Sequence, residues 1–252
     1  MTSVILRISH LSKRFGNMYV LQDVNMDIPF SKIVLLIGPN GSGKTTLINC
    51  ISGVHIPDSG NIIFNNIDIT GKSPHEIVKL GICRSFQIPL PFKKMSVAEN
   101  LLISGQNNPG ENFLGCFKSN DWKNYEKTLL RKMFNILKIV GLEEKVDSEA
   151  EDLSGGQLKL LELARLLMLD VKFIMLDEPL GGVNPFLATE ILNYIKKIRD
   201  EFKTTFLIVE HRLDIVMDHV DYVYLLSKGT VVAAGTPKDI AKKDEFYETF
   251  IS

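Results

Sequence analysis

Short apolar runs recur along the chain, some alternating with polar residues and some unbroken. The alternating kind comes first. Residues 4–8 read as a strand, another begins at Val20 and Leu21, and residues 23–28 alternate as a half-buried antiparallel strand does. Residues 29–32 turn the chain into an unbroken run, Ile33-Val34-Leu35-Leu36-Ile37, which predicts a buried strand; a helix is expected from Thr46. Turn formers at 57–60 lead to a strand at 61–64 and a hairpin turn at Asn65-Asn66. Ser73 is placed to cap a short helix that starts at Pro74, with Glu76 in its first turn. Residues 81–86 return to strand, and Pro89 and Pro91 make the following connection irregular, so Gln87 sits at a strand end.

From Ser96 to Leu169 the period changes. Ser96 and Glu99 form a capping box, and residues 122–140 carry Leu129, Met133, Ile136, Leu137 and Val140 at helical spacing, with Gly141 as the stop. Residues 105–120 are a polar, Gly/Asn-rich interruption, read as a surface loop or an extension. Ser154 is the expected N-cap of a helix through Leu167. Strand patterns then resume at 171–176, ending in Asp177-Glu178-Pro179, and at 204–209, ending in Glu210-His211. Residues 181–185 read as a flexible turn, 187–198 as a helix and 214–216 as the start of a short one. Residues 222–226 and 230–234 form a hairpin, and a short charged helix and residues 246–250 follow. The pattern predicts an α/β protein with an N-terminal antiparallel sheet and an inserted helical part: one domain comprising 1–95, 96–169 and 170–252.

Composition narrows the classes. The chain has 252 residues, 45% apolar, and its 29 Lys+Arg against 30 Asp+Glu leave a formal charge of -1. That balance gives no general field for nucleic acid or anionic membranes. Cys50, Cys83 and Cys116 have neither disulfide-framework nor zinc spacing. No window holds 18 uninterrupted apolar residues and residues 1–10 carry no export signal, so a cytosolic protein is expected, able to dock on a membrane protein.

The candidate chemistry begins after the strand at 33–37, with Gly38-Pro39-Asn40-Gly41-Ser42-Gly43-Lys44-Thr45. Strand, glycine loop and helix together make a phosphate-binding loop. The glycines let backbone N–H groups turn toward a phosphate chain, the helix start at Thr46 adds its unpaired N–H groups, Lys44 reaches the outer phosphates, and the Thr45 hydroxyl can ligate magnesium. Such a match arises by chance in roughly 1% of chains this long. Asp177, at a strand end downstream, can hold magnesium, and Glu178 is placed to polarise an attacking water. His211 ends another such strand; alone, a structural role is as good a reading. Gly155 and Gly156 at a helix start fit either an ordinary entrance or close phosphate approach. Phe15 alone reads as a core aromatic rather than a ligand-stacking one.

In this order, the phosphate loop, Gln87, Leu153-Ser154-Gly155-Gly156-Gln157, the strand ending at Asp177-Glu178 and His211 resemble the ATP-binding cassette ATPases, over essentially the whole chain. Within that family the chain is similar to the ATPases of branched-chain amino-acid importers, through Ile82-Cys83-Arg84-Ser85-Phe86-Gln87, Met95-Ser96-Val97-Ala98-Glu99-Asn100-Leu101-Leu102, Asp177-Glu178-Pro179-Leu180-Gly181-Gly182-Val183-Asn184-Pro185, Val209-Glu210-His211-Arg212-Leu213-Asp214 and the long insertion between Leu102 and Trp122. The resemblance implies the cassette fold, ATP and Mg2+ as cofactors, and hydrolysis coupled to transport. It implies that Phe15 stacks on adenine, flanked by Val20; that Gly38 to Thr46 hold the phosphates; and that Thr45, Gln87 and Asp177 serve the metal. Lys44, Gln87, Glu178 and His211 take the catalytic roles. Ser154, Gly155, Gly156 and Gln157 would serve ATP bound by a second cassette subunit, identical or not. Asn184 stands where many members have aspartate, keeping the hydrogen bond but not the charge. Two membrane permease subunits and, indirectly, a solute-binding protein are the implied partners, with the chain on the cytoplasmic face of the membrane. Urea or amide transport, lipopolysaccharide transport, and a soluble cassette ATPase of translation or repair are the alternatives.

Overall fold

The computed structural model describes residues 3–85, 91–105, 119–243 and 246. They divide into two compact units, one drawn from Met1–Gln87 and Lys172–Ser252, the other from Ile88–Val171.

In the first unit, β1 (Val4–Phe15) pairs antiparallel with β2 (Met18–Pro29). Both run longer than the alternation in the sequence suggests, because the pairing shifts register around His10 and Asp23, each in the left-handed region at φ 51°. An extra residue at a bulge inverts which side chains face inward, so the period breaks while the strand continues. β4 (Ser59–Phe64) and β5 (Ile67–Asp68) complete a four-stranded antiparallel sheet in the order β2-β1-β4-β5.

A second sheet runs in the order β10-β9-β3-β8-β7-β6. Its members are β3 (Ile33–Ile37), β6 (Ile82–Arg84), β7 (Phe173–Asp177), β8 (Thr205–Val209), β9 (Tyr222–Ser227) and β10 (Thr230–Gly235). β9, β3, β8, β7 and β6 are mutually parallel and β10 is antiparallel to β9. β3, β7 and β8 are buried at every position, as strands covered on both faces must be. Gln22 donates its N–H to Gly229 O at 2.8 Å, and Asp27 N–H donates to the Tyr224 hydroxyl at 3.1 Å, linking the two sheets.

α1 (Lys44–Ile51) follows β3 and places Leu47, Ile48, Cys50 and Ile51 in a core shared with Leu6, Ile8, Ile62, Phe64, Val34, Met175 and Leu207 from both sheets. It begins two residues before the expected Thr46. α2 (Pro74–Lys79) has the expected Ser73 cap, and the Glu76 side chain closes it into a capping box.

In the second unit, α3 (Val97–Leu102), α4 (Ser119–Val140) and α5 (Gly155–Met168) pack on one another. Met133, Ile136, Leu137 and Val140 of α4 are buried, and Gly141 ends the helix at φ 70°. α4 starts at Ser119, ahead of the Trp122 where the apolar period becomes visible. The loop before α3 belongs to this unit through fully buried Asn100. Its Oδ1 accepts the Phe92 N–H at 2.9 Å, while its amide donates to the carbonyls of Phe92, Met95 and Ser96. Most of the expected 105–120 interruption, with Cys116, lies outside the described residues, as does nearly all of 246–250.

Back in the first unit, α6 (Pro185–Phe202) is longer than expected at both ends. The stretch read as a flexible turn supplies its cap: Asn184 Oδ1 accepts the Leu187 N–H at 2.9 Å, with Pro185 at the first helical position. α7 (Leu213–Val216) and α8 (Pro237–Ile240) are short. Among the described residues no helix is long and apolar enough to cross a membrane.

Candidate functional site

β3, β8 and β7 are adjacent and parallel, so their C-terminal ends open on one edge, where open α/β sheets place their ligands. Beyond β3 comes the glycine loop; at the end of β7 is Asp177, followed by Glu178; beyond β8 come Glu210 and His211. These meet in a cavity of about 190 Å³ lined by Val20, Asn40, Gly41, Ser42, Gly43, Lys44, Thr45, Thr46, Asp177, Glu178, Val209 and His211. That size lies below the range that encloses a drug-sized ligand. It suits a phosphate chain rather than a whole nucleotide.

The loop is shaped by close approach. A Cβ on Gly38 would meet Leu226 O at 2.1 Å. Gly43 has φ 106°, and a Cβ there would meet Val20 O at 2.8 Å. Only glycine fits both constraints at Gly43. Gly43 is also the N-cap of α1, and no side chain caps that end. The first N–H groups of α1 therefore face the cavity end of the helix without a side-chain acceptor, with the helix dipole behind them.

Lys44 is 7% exposed, and its ammonium donates to Gly38 O at 2.7 Å and Pro39 O at 2.9 Å. Burial holds its pKa below the usual lysine value, partly opposed by the negative charges of Glu178 and Asp177. Ser42 Oγ is buried and has no hydrogen-bond partner among the described residues. Thr45 is exposed at the cavity wall. An orphaned hydroxyl, uncapped helix N–H groups, a buried ammonium and a nearby carboxylate form the donor set that a magnesium-bound polyphosphate needs, so the residues present fit ATP with Mg2+.

Asp177 is 3% exposed, and its Oδ2 accepts from Arg84 Nη2 at 2.7 Å. Arg84 also reaches Asn49 on α1. Glu178 has φ 51°, and its N–H donates to Val209 O at 2.9 Å. Glu178 Oε1 lies 3.2 Å from His211 Nε2, with both side chains partly exposed. The edge thus brings together a buried carboxylate and a more accessible carboxylate paired with an imidazole.

Other expected residues stand apart. Phe15, at the end of β1, does not line the cavity; it is exposed, edge-on to His55 with ring centroids 5.2 Å apart, and Lys13 lies over its ring. Ser154, Gly155, Gly156 and Gln157 belong to the helical unit. There Ser154 Oγ accepts the Gln157 N–H at 3.3 Å while Gln157 Oε1 accepts the Ser154 N–H at 2.9 Å, and a Cβ on Gly155 would meet nothing within 4 Å. Gln87 lies outside the described residues. Sequence reasoning assigned no role to Arg84 or to Glu210, which is 3% exposed. The signal for Glu210 was its place beside His211 at a strand end; Arg84 offered none beyond a cation inside an apolar run.

The family model of the ABC transporter matches residues 21–181. A probable branched-chain amino acid transport ATP-binding protein, LivG, of Archaeoglobus fulgidus is 45% identical over 247 residues, covering 98% of this chain and 95% of the relative. The high-affinity branched-chain amino acid transport ATP-binding protein LivG of Escherichia coli is 32% identical over 252 residues, covering 100% and 99%. Among solved structures, the ADP conformation of an ATP-binding cassette of an ABC transporter superposes with a TM-score of 0.85 at 40% identity, over 100% of both chains. With the glycine loop, the strand-end carboxylates and His211 on one sheet edge, the chain belongs to the ABC transporter family, as an ATP-hydrolysing, magnesium-dependent ATP-binding subunit related to the branched-chain amino acid importer ATPases.

Proposed function

We propose that the chain is the ATPase of an importer for branched-chain or related amino acids, acting on the cytoplasmic face of the membrane beside two permease subunits, with a solute-binding protein upstream. The names of its relatives support the solute class. The observation that carries the hydrolytic role is the Glu178–His211 pair, 3.2 Å apart at the mouth of the phosphate-loop cavity.

In this reading the N–H groups at Asn40, Gly41, Ser42, Gly43, Lys44, Thr45 and Thr46 receive the phosphate oxygens, and Lys44 exchanges its two loop carbonyls for the outer phosphates. Phe15 offers its exposed face to adenine beside Val20. Thr45, Asp177 and Gln87 would hold magnesium, which when bound would supply positive charge against the phosphate oxygens. Glu178 orients the attacking water and accepts its proton as the water oxygen bonds to the γ-phosphorus and the bond from that phosphorus to the bridging oxygen breaks, leaving ADP and phosphate. His211 holds the Glu178 carboxylate in the free site and meets the γ-phosphate in the loaded one. Gly155, exposed and with open space before it, and Ser154 and Gly156 beside it complete the site of a second subunit. ATP then works by closing two cassettes head to tail.

Glu178→Gln tests the assignment. The variant is expected to bind ATP, hydrolyse it at least about a hundredfold more slowly, and accumulate as an ATP-bound dimer on size exclusion. Turnover at the wild-type rate would overturn the role of Glu178, and a strictly monomeric ATP-bound variant would overturn the two-subunit site.

A further inference from the structure

Glu210 is nearly sealed from solvent, yet it is a carboxylate. Its Oε1 accepts the Leu180 N–H at 2.6 Å, and its Oε2 accepts the N–H groups of His211 at 3.0 Å and Arg212 at 3.4 Å. A carboxylate so far from water persists through such donors. Both oxygens are engaged by the backbone, which leaves Glu210 poorly placed to take a proton from water.

The donors come from two loops. Leu180 lies in the segment after β7 that begins with Glu178; His211 and Arg212 lie in the segment after β8. Arg212 adds a second strut by donating from Nη1 to Val183 O at 2.8 Å. Between them, Glu178 N–H is tied to Val209 O and Gly181 N–H to Glu178 O at 3.1 Å. Glu178 itself stands at φ 51°, a region that a non-glycine residue keeps when its surroundings over-determine it.

We propose that Glu210 is a positioning residue for ATP hydrolysis, clamping the loop that carries Glu178 to the loop that carries His211 and so fixing the distance between the two side chains. The proposal rests on the reading of Glu178 and His211 as working residues of the hydrolytic site. A glutamine at 210 keeps the shape but replaces one acceptor with a donor, which then faces backbone N–H groups. The two loops lose a shared anchor, and the base and imidazole lose their fixed separation. Misplacement of reacting groups by about 1 Å is enough to cost a large rate factor.

The test is a double-mutant cycle on the full-length chain, with kcat and KM for ATP measured at saturating magnesium and single-turnover rates for the slow variants. Glu210→Gln is expected to lower kcat about tenfold or more while KM stays within about twofold. In a His211→Ala background the same substitution should lower the rate by less than about twofold, because the partner it positions is gone. A role in folding alone would instead lower activity by the same factor in both backgrounds, and that result overturns the proposal, as does an unchanged kcat in Glu210→Gln. Should Glu210→Gln fail to fold by circular dichroism, Arg212→Leu removes the outer strut and is read in the same cycle by the same criteria. The site beneath the proposal is separable from it. If Glu178→Gln and His211→Ala are strongly slowed while Glu210→Gln is normal, only the clamp fails. If both turn over ATP at the wild-type rate, the hydrolytic pair fails and takes the clamp with it.

Discussion

Asp177 shows what a single side chain at this edge demands of its neighbours. It is a buried carboxylate held by Arg84 at 2.7 Å, and Arg84 is itself only 21% exposed. Removing one member of such a pair leaves the other buried without its counter-charge, which costs more than the pair is worth. Arg84→Ala is expected to lose about 3 kcal/mol in a denaturant melt. Adding Asp177→Asn to that variant should recover part of the loss, and a double variant no more stable than Arg84→Ala would show that the cost is packing rather than charge. Lys44 was legible through the glycine loop, and Asp177 and Glu178 through the apolar run they close; His211 took its expected role from the family pattern. Arg84 and Glu210 were not legible. Arg84 meets Asp177, 93 residues away, and Glu210 meets Leu180, 30 residues away, so what each does is decided by which strands become neighbours.

Helices and strands were legible where one rule governed them. Buried parallel strands are unbroken apolar runs, and β3, β7 and β8 stand close to where those runs fall. The capping box expected at Ser96 and the caps expected at Ser73 and Ser154 form, the last two also as boxes, because a hydroxyl and an acid or amide three residues on are a local signal. The alternation shows β1 only to Ile8, since the bulge at His10 inverts it without ending the pairing. In the sequence Asn184 reads as part of a turn because glycine, asparagine and proline serve both turns and helix entrances. Its cap is testable: Asn184→Ala should cost about 1 kcal/mol in thermal or denaturant unfolding. Asn184→Asp keeps the acceptor and places a negative charge at the positive end of α6, so it should match the wild type or exceed it by about 0.5 kcal/mol. A loss in both variants would remove Asn184 from the account of how α6 begins.

At the scale of the whole molecule, the phosphate edge gathers residues from Val20 to His211, and the parallel order of β3, β8 and β7 is what gathers those from Asn40 on. The sequence displays the parts in one order and the sheet displays them in another; the family pattern bridges the two by reading the motifs as one set. What the chain could not display was the distance between Glu178 and His211, or that Phe15 stands outside the cavity. One further property belongs to the molecule rather than to its catalysis. α5 and α6 begin with side chains that satisfy their own N–H groups, whereas α1 begins with none. The folded chain is therefore expected to offer dissolved anions a site that the unfolded chain lacks, so that its melting temperature would report polyphosphate concentration. Tripolyphosphate, with no adenine, ribose or metal, should stabilise the protein by about 2.7 kcal/mol at a hundred times its dissociation constant. Gly43→Ala, by straining the turn into α1, should flatten that response in a thermal titration while the protein still folds.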